Sequence, residues 1–531
     1  MQQIITEQIG YLPNDKKTAI VHLGDTPKAF CVKNYYSKEV VFQGSLSKPV
    51  ENASAGETDY VMDFSEITEN GTYYISIDGV RDSYPFVINP CVYDDVMHGL
   101  LRFFYLQRCG TDLPEALADK FKHKSCHDTE AFIYGTDLKK NVNGGWHDAG
   151  DYGRYIVAAA VTVADLLLAY ENNPKCFGTK INIPRCETAI PDLLTEVRYE
   201  LEWMLRMQDE TTGEVYHKVT CEGFPDVDIM PEDETEKLVI CPPSVTATAD
   251  FAAVMAMAVR YYQEYDHAFA DTCMKAAVTA YDAMKKMNLP GGFKNPESIV
   301  TGEYEDDCDI DERYWAAAEL YKATGEARYH EDLKELLLQG TLHGYGWREV
   351  GSLGNTAYLS INAELTDEAV VQKISENVID LGRELLEMAK ENPYAYPLKQ
   401  YEWGSNMYVA NSACHLYDAY RLTQEEDFLI YAKEQIHHLF GKNPNAICYV
   451  TGYGSVSPKK PHHRPSAAVG EAMPGMLVGG PDEGLHDPSA EKYVGSYPPA
   501  KRYVDHVESY STNEVTIYWN SALLLAMSLC V

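Results

Sequence analysis

Basic residues are scarce in this chain of 531 residues. Lysine and arginine number 45 against 80 aspartates and glutamates, which gives a formal net charge of −35 at pH 7. Such a charge repels nucleic acid phosphates and anionic lipid surfaces. We therefore expect no nucleic acid partner and a ligand that is neutral or cationic.

Long apolar runs are also missing. The longest, SALLLAMSLCV at the C-terminus, is shorter than the roughly 20 residues that cross a bilayer, so no membrane segment is expected. The first residues, MQQIITEQIGYLPNDKK, lack a basic segment followed by an apolar one, so no secretory signal is visible. The sequence as written predicts a cytoplasmic location. A chain from which a signal had been removed would look the same and would be secreted.

A regular cysteine pattern is absent as well. The 13 cysteines are odd in number and scattered along the chain, which is typical of a reducing compartment rather than of a disulfide scaffold. Most of them are expected to be small buried hydrophobic residues.

Residues 1–88 contain short β-type segments separated by turn residues. These segments are KTAIVHL, AFCVKN, EVVFQGSL, YVMDF, GTYYISI and SYPFVI. The Asn70-Gly71 pair before TYYISI is a hairpin-type signal. Strands of this length and spacing over about ninety residues predict one immunoglobulin-like β-sandwich.

From residue 89 onward the apolar period changes to between three and four, which is typical of amphipathic helices. Helices of a domain this long must stack in layers or close into a ring. No repeat of fixed short period favours a solenoid. Two long loops rich in Gly, Pro, His and Asp, 140–153 and 441–512, are where chemistry is expected. The sequence thus predicts two domains, 1–88 and 89–531.

One of these loops contains the stretch GGWHDAGDYGRY, with Asp148 and Asp151 among four glycines. Glycine is costly in helices and strands, so its density indicates unusual turns or the close approach of another molecule. Paired carboxylates can deprotonate a water and protonate a leaving group when their environments separate their pKa values. The alternative is that either aspartate caps a helix starting near Tyr152.

This stretch resembles the aspartate motif of glycoside hydrolase family 9, the inverting cellulases, and further stretches resemble the family in the same order. They are ELEWMLRMQDETTGEVYHKVT, GKNPNAICYVTGYGSVSPKKPHHRPS and DHVESYSTNEVTIYWNSALL. The start, TEQIGYLPNDKKTAIV, is similar to members with an N-terminal immunoglobulin-like domain. The resemblance implies a mainly α protein: an (α/α)6 barrel catalytic domain preceded by a small all-β sandwich.

The resemblance also assigns the catalytic groups. It implies Asp151 as the general base, Asp148 as a partner that holds the attacking water, and Glu514 as the general acid. An inverting glycosidase needs its acid and base roughly 6.5–9.5 Å apart, on opposite faces of the sugar. By itself, Glu514 could equally be a solvated glutamate in the first turn of a helix.

Several residues are candidates for binding sugar. The resemblance implies that His462 and Arg464 donate hydrogen bonds to hydroxyls at the cleavage subsite, with His217 a weaker candidate; an isolated HHR would more often be a surface loop or a carboxylate partner. Aromatic rings stack on the apolar faces of pyranoses, so the tryptophans near these motifs are candidates too, with ordinary core positions as the alternative. They are Trp146, Trp347 and Trp519, the last at a position where some relatives carry tyrosine.

Two thiols and two imidazoles suggest a structural metal. Cys109, Cys126, His127 and His147 form a usual tetrahedral zinc set, although their spacing is not that of a compact finger. The resemblance implies a four-ligand zinc site at these positions, with His123 as a substitute ligand. Such a site leaves no coordination position open, so it would pin the Asp148 loop and take no part in chemistry.

The acidic run EYEDDCDIDE, residues 303–312, offers oxygen donors suited to calcium. It lacks the glycine and the loop pattern of an EF-hand, and a run of like charges is usually a solvated face. Calcium occurs in the family that the chain resembles, so both interpretations stay open and no ligands are assigned.

The leading prediction is an inverting hydrolase without an organic cofactor that cleaves β-1,4-glucosidic bonds in cellulose, mixed-linkage β-glucan or cello-oligosaccharides. A competing hypothesis on the same scaffold is an exo-acting enzyme that removes glucose or glucosamine from chain ends. Two further functional classes stay open: a non-catalytic carbohydrate-binding protein and a hydrolase whose zinc is catalytic.

Overall fold

The computed structural model describes residues 4–22, 29–178, 180–184, 190–288, 292–340 and 342–531. The chain divides into two compact units. The first comprises Met1–Phe103 and Ile379–Val531, and the second comprises Phe104–Val378. Twelve of the cysteines lie in the described ranges, while Cys186 lies outside them.

The first unit begins with a β-sandwich. Its strands are β1 Ile4–Ile5, β2 Gly10–Tyr11, β3 Thr18–His22, β4 Phe30–Asn34, β5 Val40–Gly44, β6 Val50–Asn52, β7 Glu57–Asp63, β8 Gly71–Ser76 and β9 Phe86–Ile88. One sheet has the order β1-β3-β7-β6 and the other the order β2-β9-β8-β4-β5. Apolar side chains of both sheets form a common core that includes Val21, Val32, Met62 and Ile75, as alternation along the strands predicts.

The Asn70-Gly71 pair does not close a hairpin, so the hairpin prediction is wrong. β7 and β8, which flank it, lie in different sheets, and β8 pairs with β4 and β9 instead. Asn70 ends the connection that crosses from one sheet to the other, and Gly71 is the first residue of β8. Neither residue has the positive φ that a tight hairpin turn requires.

Helices make up most of the remaining chain. They are α1 Asp94–Leu106, α2 Glu115–Ala118, α3 Ile156–Asn172, α4 Asp192–Arg206, α5 Val245–Tyr262, α6 His267–Met284, α7 Ile310–Thr324, α8 Ala327–Leu337, α9 Gly351–Leu359, α10 Glu368–Glu391, α11 Ser405–Thr423, α12 Glu426–Leu439, α13 Arg464–Val469, α14 Pro488–Val494, α15 Tyr510–Asn513 and α16 Ile517–Cys530. Short 3₁₀ turns occupy Asp119–Phe121, Cys176–Gly178, Pro231–Asp233 and Pro499–Lys501. None of the helices in the described ranges has both the length and the hydropathy to span a bilayer.

Helix packing follows the distribution of apolar residues. In the second unit, α5 is almost entirely buried and packs against α3, α6 and α7, as expected for a helix that is apolar on all sides. Ser244 and Asp266 cap α5 and α6 by accepting hydrogen bonds from main-chain N–H groups. In the first unit, α11, α12 and α16 pack together.

The second unit also contains a small sheet that the sequence periodicity did not predict. Its strands are β10 Ala131–Ile133, β11 Lys139–Lys140, β12 Arg154–Tyr155, β13 Lys218–Thr220 and β14 Val239–Ile240, in the order β11-β10-β14-β13-β12. β12 directly follows the aspartate loop and pairs with β13, which places Tyr155 opposite Lys218. Two- and three-residue strands are too short for a period of two to be visible in the sequence.

The sandwich is anchored to the later part of the first unit. The Gln8 side chain donates to the Ala446 carbonyl at 2.9 Å and accepts from the main-chain N–H groups of Ser455 and Val456. The main-chain N–H of Gln8 donates to the Phe440 carbonyl. This one residue therefore fixes both ends of the segment 441–456, which leads to the histidine-arginine motif.

Candidate active site and metal centres

The backbone of the aspartate loop depends on its glycines. Gly144 and Gly145 have φ values of 101° and 81°, which L side chains rarely adopt. A Cβ atom on Gly145 would lie 2.7 Å from the Trp203 ring. The predicted unusual turns are therefore present. Since α3 begins only at Ile156, with Tyr155 at its N-cap, neither Asp148 nor Asp151 caps this helix.

Asp148 and Asp151 lie on this loop in different environments. Asp148 is 1 % exposed, its Oδ2 accepts a 2.5 Å hydrogen bond from the Tyr304 hydroxyl, and its Oδ1 has no donor among the described residues. Burial raises the pKa of Asp148 well above its usual range; the Tyr304 hydrogen bond opposes this rise and the charge of Asp151 adds to it. Asp151 is 6 % exposed and accepts from the Gly153 N–H. Two carboxyl groups held in such different environments on one loop suit acid–base chemistry on a water.

Tyr304 was not identified from the sequence. It lies 156 positions from Asp148 and within the acidic run that suggested calcium. Its ring packs against Tyr155 at 4.6 Å and against Trp347 at 4.9 Å between centroids. Trp347 is only partly buried, so it is the predicted tryptophan that stands beside the aspartates with a ring surface still accessible.

Three other predicted sugar-binding residues are buried. His217 is 0 % exposed, its Nδ1 hydrogen bonds with the Ser244 hydroxyl, and its Nε2 hydrogen bonds with the Glu303 carbonyl. Burial and the charge of Lys218 lower its pKa to about 3. Trp146 donates its indole N–H to Glu196, and Trp519 packs under Gly404 and Gly479. The structure thus places His217 and Trp146 in supporting positions and covers the Trp519 ring almost completely.

Glu514 lies in the first unit, with His462 beside it. It follows α15 in an extended conformation and precedes Thr516, the N-cap of α16, so it is not a glutamate in the first turn of a helix. Its main chain forms a parallel bridge with His462, and its carbonyl accepts from the Gly479 N–H. Its side chain is partly exposed, which suits a group that must reach a ligand.

His462 and Arg464 flank this position. The His462 Nδ1–H donates to the Val507 carbonyl at 2.6 Å, and burial lowers the pKa of His462 to about 4. The imidazole is therefore neutral at pH 7, with its tautomer fixed by this hydrogen bond. Arg464 is 5 % exposed at the start of α13 and His462 is partly exposed, so the motif is not a fully solvated surface loop.

An aromatic group that the sequence motifs did not reveal lies next to His462. Tyr510 packs against His462 at 6.0 Å and against Trp403 at 5.3 Å between ring centroids. Trp403 is 41 % exposed, which is uncommon for a large apolar ring. It lies outside all four motifs, so only its position in the fold identifies it as a surface on which a sugar could stack.

The four predicted zinc ligands come together in the second unit. One ligand atom of each of Cys109, Cys126, His127 and His147 lies within 4.8 Å of the others, and all four residues are buried. His127 Nε2 hydrogen bonds with Glu234 at 2.8 Å, while its buried Nδ1 has no partner among the described residues. A carboxylate behind a ligating imidazole is the usual support of a metal-bound histidine. His123, the predicted substitute ligand, is not in this group of four.

A second group of acidic residues is buried near the start of α7. Both carboxylate oxygens of Asp250 and Glu312, and one of Asp306, have no hydrogen-bond donor in the described part of the chain. Burial raises the pKa of all three, and the charges of neighbouring carboxylates raise it further. The acidic run is therefore not simply a solvated face. Buried carboxylate oxygens without donors are suitable ligands for a hard cation.

Known families match both parts of the chain. The family described as cellulase N-terminal ig-like domain matches residues 1–82, and glycosyl hydrolase family 9 matches residues 93–527. A cellodextrinase from Butyrivibrio fibrisolvens is 36% identical, with 99% of each chain covered.

Solved structures give the same result. A thermostable endoglucanase mutant from Alicyclobacillus acidocaldarius superposes with a TM-score of 0.94 at 36% identity, with 100% of each chain covered. A Zn-binding triple mutant of the family 9 endoglucanase J30 is 32% identical and has a TM-score of 0.93, with 98% of this chain and 99% of that chain covered. These likenesses confirm the predicted fold class, an (α/α)6-barrel catalytic domain preceded by an immunoglobulin-like sandwich.

Proposed function

Because the chain belongs to glycoside hydrolase family 9, we propose that it is a glycosidase that hydrolyses β-1,4-glucosidic bonds of β-glucans and cello-oligosaccharides with inversion of the anomeric configuration. Support comes from relatives named as a cellodextrinase and as endoglucanases that match over nearly the entire chain. The structural observation that carries the proposal is the pair formed by Asp148 and Asp151, a carboxyl with raised pKa beside a second carboxylate on one glycine-rich loop.

In the proposed reaction, a water attacks the anomeric carbon while the bond to the leaving oxygen breaks. Asp151 accepts a proton from this water, Asp148 holds the water through its unpartnered Oδ1, and Glu514 gives its proton to the leaving oxygen. One inversion at the anomeric carbon results, because no covalent intermediate with the enzyme forms. Asp151 ends the reaction protonated and Glu514 ionised, and exchange with solvent restores both.

Substrate binding is proposed for two groups of residues. In the first unit, the neutral His462 and the charged Arg464 would hydrogen bond to sugar hydroxyls, and Trp403 would stack on a pyranose face. In the second unit, Trp347 would do the same beside Asp148. The proposal replaces Trp146 with Trp403 as a stacking residue, because the Trp146 ring is 1 % exposed and Trp403 is 41 % exposed.

We propose that Cys109, Cys126, His127 and His147 bind one structural zinc ion. The donor set fits zinc, and Glu234 supports the His127 imidazole from behind. A four-ligand zinc leaves no position for substrate, so its contribution would be to hold the loop in place on both sides of Asp148. We also propose that Asp250, Asp306 and Glu312 contribute to a calcium site, because their buried oxygens otherwise remain without donors.

The function is tested by following cellotetraose hydrolysis with proton NMR, which distinguishes the anomers as they form. Wild type is expected to cleave the β-linked substrate into products whose newly formed reducing end is the α-anomer. Asp151→Asn and Glu514→Gln are expected to lose about 10²–10⁴-fold in kcat, the range typical of general acid–base catalysis. The exposed Asp137→Asn and Glu508→Gln serve as matched controls and should retain wild-type kcat.

Two results would contradict the proposal. Release of the β-anomer would exclude an inverting mechanism, and absence of cleavage of every β-glucan by folded wild type would favour a carbohydrate-binding protein. The same experiment on cellotetraose separates the competing activities on this scaffold, since an exo-acting enzyme releases single sugar units from one chain end and an endoglucanase or cellodextrinase releases cellobiose among its products.

A further inference from the structure

We propose that Lys218 is a positioning residue for this hydrolysis: its buried ammonium group fixes the turn 301–304, and through that turn it holds the Tyr304 hydroxyl against Asp148. The inference rests on the proposed function, in which Asp148 holds the attacking water. The hydrogen bonds of the Lys218 ammonium group go to Thr301 and Gly302 rather than to either aspartate, so its effect is transmitted by the turn.

The surroundings of Lys218 are unusual for a lysine. The residue is 0 % exposed, and its Nζ donates to the Gly302 carbonyl at 2.5 Å, to the Thr301 hydroxyl at 3.3 Å and to the Thr301 carbonyl at 3.5 Å. Its Nζ also lies 5.3 Å from the centre of the Tyr155 ring. All of these partners are uncharged. Burial of an ammonium group without a paired carboxylate is costly, so the hydrogen bonds to the turn must offset much of that cost.

The electrostatic environment agrees with this description. Burial lowers the pKa of Lys218 to about 8, and the nearby Cys241, Asp151 and Glu303 oppose the fall. The ammonium form therefore predominates at pH 7, and three donor hydrogens are available to the turn. The negative charge of Asp151 helps to keep Lys218 protonated. The lysine thus interacts electrostatically with the aspartate loop in addition to its hydrogen bonds with the turn.

The turn that Lys218 holds is strained. Tyr304 has a φ of 52°, in the left-handed region that a bulky residue occupies only when its surroundings enforce it. The enforcing contacts are on three consecutive carbonyls. Asn295 donates to Thr301 at 2.7 Å, Lys218 donates to Gly302, and His217 hydrogen bonds with Glu303 at 3.1 Å.

The position of Tyr304 matters because its hydroxyl donates to one oxygen of Asp148 at 2.5 Å, while the other oxygen has no donor in the described ranges. The hydroxyl therefore fixes the orientation of the carboxyl and with it the direction in which Oδ1 points. If the turn relaxes, the carboxyl can rotate, and a displacement of about 1 Å at a reacting group can lower the rate by roughly 10²-fold.

The experiment is a double-mutant cycle in the full-length protein, with kcat and KM measured on cellotetraose. Lys218→Met keeps the length of the side chain and removes the donor. It is expected to lower kcat by about 10-fold or more with KM changed by less than about twofold, since ground-state sugar contacts are not affected. In a Tyr304→Phe background, where no hydroxyl remains to be positioned, Lys218→Met should change kcat by less than about twofold.

A buried lysine elsewhere provides the matched control. Lys17 in the sandwich is also 0 % exposed, and its Nζ donates to the carbonyls of Pro13 and Asp15 at 2.8 Å and of Ser65 at 3.4 Å. Lys17→Met should lower the Tm, as loss of a buried hydrogen-bonded group does, and leave kcat of the folded protein unchanged. It separates loss of stability from loss of positioning.

Two outcomes would overturn the inference while the proposed function stands. Active wild type combined with a wild-type kcat in Lys218→Met would show that the lysine positions nothing. An equal loss of kcat in the wild-type and Tyr304→Phe backgrounds would show that it does not act through Tyr304. If circular dichroism shows that Lys218→Met does not fold, Lys218→Gln is measured in the same cycle. Its shorter side chain reaches fewer acceptors, and the expected results are the same. Inactive wild type would instead refute the proposed function.

Discussion

Individual carboxyl groups of this protein differ mainly in what surrounds them. Asp59 in the sandwich is fully buried; its Oδ2 accepts from Asn52, and its Oδ1 has no donor among the described residues. Glu57, His22 and Lys501 are the charged or titratable groups nearby. Burial, together with the charge of Glu57, raises the pKa of Asp59 to about 6, against the opposing effects of Asn52, His22 and Lys501.

A pH dependence of stability follows. A folded-state pKa above the unfolded value means that folding takes up a proton. The contribution of protonated Asp59 to the free energy of unfolding is therefore complete below about pH 4 and is lost as the pH rises through about 6. Asp59→Asn removes the charge and should be more stable than wild type by about 1–2 kcal/mol at pH 8, with little difference at pH 4. Urea denaturation at both pH values measures this, with the exposed Asp78→Asn as control. An Asp59→Asn variant less stable than wild type at pH 8 would contradict it.

Trp403 allows the proposed stacking surface to be tested. Trp403→Ala should raise the KM for cellotetraose by about 5–30-fold, which corresponds to about 1–2 kcal/mol of lost ring–sugar contact. Trp403→Phe retains a flat ring and should recover most of the affinity. Tyr36→Ala in the sandwich removes an aromatic side chain that is 78 % exposed and should leave KM unchanged. An unchanged KM in Trp403→Ala would exclude the ring from substrate binding.

The candidate site residues that could be named from the sequence are those that share a motif. Asp148, Asp151, His147 and Glu514 stand within recognisable stretches, and the structure brings the four proposed zinc ligands together. Tyr304 and Trp403 could not be found in this way, because the contacts that identify them, with Asp148 and with Tyr510, join segments far apart in the sequence. His217 shows the opposite case: its motif suggested sugar binding, yet its two ring nitrogens are used to hold Ser244 and Glu303.

Among the structural elements, the loop that carries the aspartates is held by side chains behind it. Arg154 donates to the carbonyls of Val142 and Gly144, and Glu200 accepts from the Trp146 N–H at 2.6 Å. The four proposed zinc ligands would add a further constraint next to Asp148. The loop is therefore expected to depend on the metal for its order rather than for its chemistry.

Zinc removal should accordingly act on stability. Cys126→Ser is expected to lose the zinc ion and to lower the Tm by about 5–10 °C, while the folded fraction at 25 °C keeps most of its kcat. Zinc content by atomic absorption and the Tm by calorimetry measure the two effects. Cys273→Ser alters an equally buried thiol in α6 and should keep the zinc. Complete and immediate loss of activity in chelator, with the Tm unchanged, would instead indicate a catalytic zinc.

Element boundaries were predictable to different degrees. Helical structure after residue 89 was predicted from the apolar period of three to four, and α7 ends at Thr324, where Gly325 follows with a left-handed φ of 70°. The β-type segments of the sandwich were found as well. The sheet β10–β14 and the exchange of sheets at Asn70-Gly71 were missed, because pairing between strands far apart in sequence leaves no local pattern.

In the molecule as a whole, the sandwich serves as an anchor for part of the helical domain. Gln8 makes three side-chain hydrogen bonds to the segment 446–456 and is 7 % exposed. Apolar residues add to this contact, among them Ile5 and Ile20 with Tyr394 and Tyr396. Buried hydrogen bonds of this kind cannot be replaced by water when the side chain is removed.

Gln8→Ala should therefore destabilise the protein by about 2–4 kcal/mol, because two main-chain N–H groups and one carbonyl lose their partner. The measurement is urea denaturation, together with limited proteolysis, which should reveal new cleavage within 441–456. Gln43→Ala, at an exposed site of the same sandwich, should behave like wild type. Wild-type stability and an unchanged proteolysis pattern in Gln8→Ala would show that the sandwich does not secure this segment.

The packing of Gly145 on the Trp203 ring also bears on laboratory evolution of this protein. Every amino acid other than glycine at this position would strike the indole and would need an unfavourable φ. Saturation libraries that include this codon would consist mainly of inactive clones. Diversity is better directed to Trp347 and Trp403, the proposed stacking residues, where a changed side chain meets solvent.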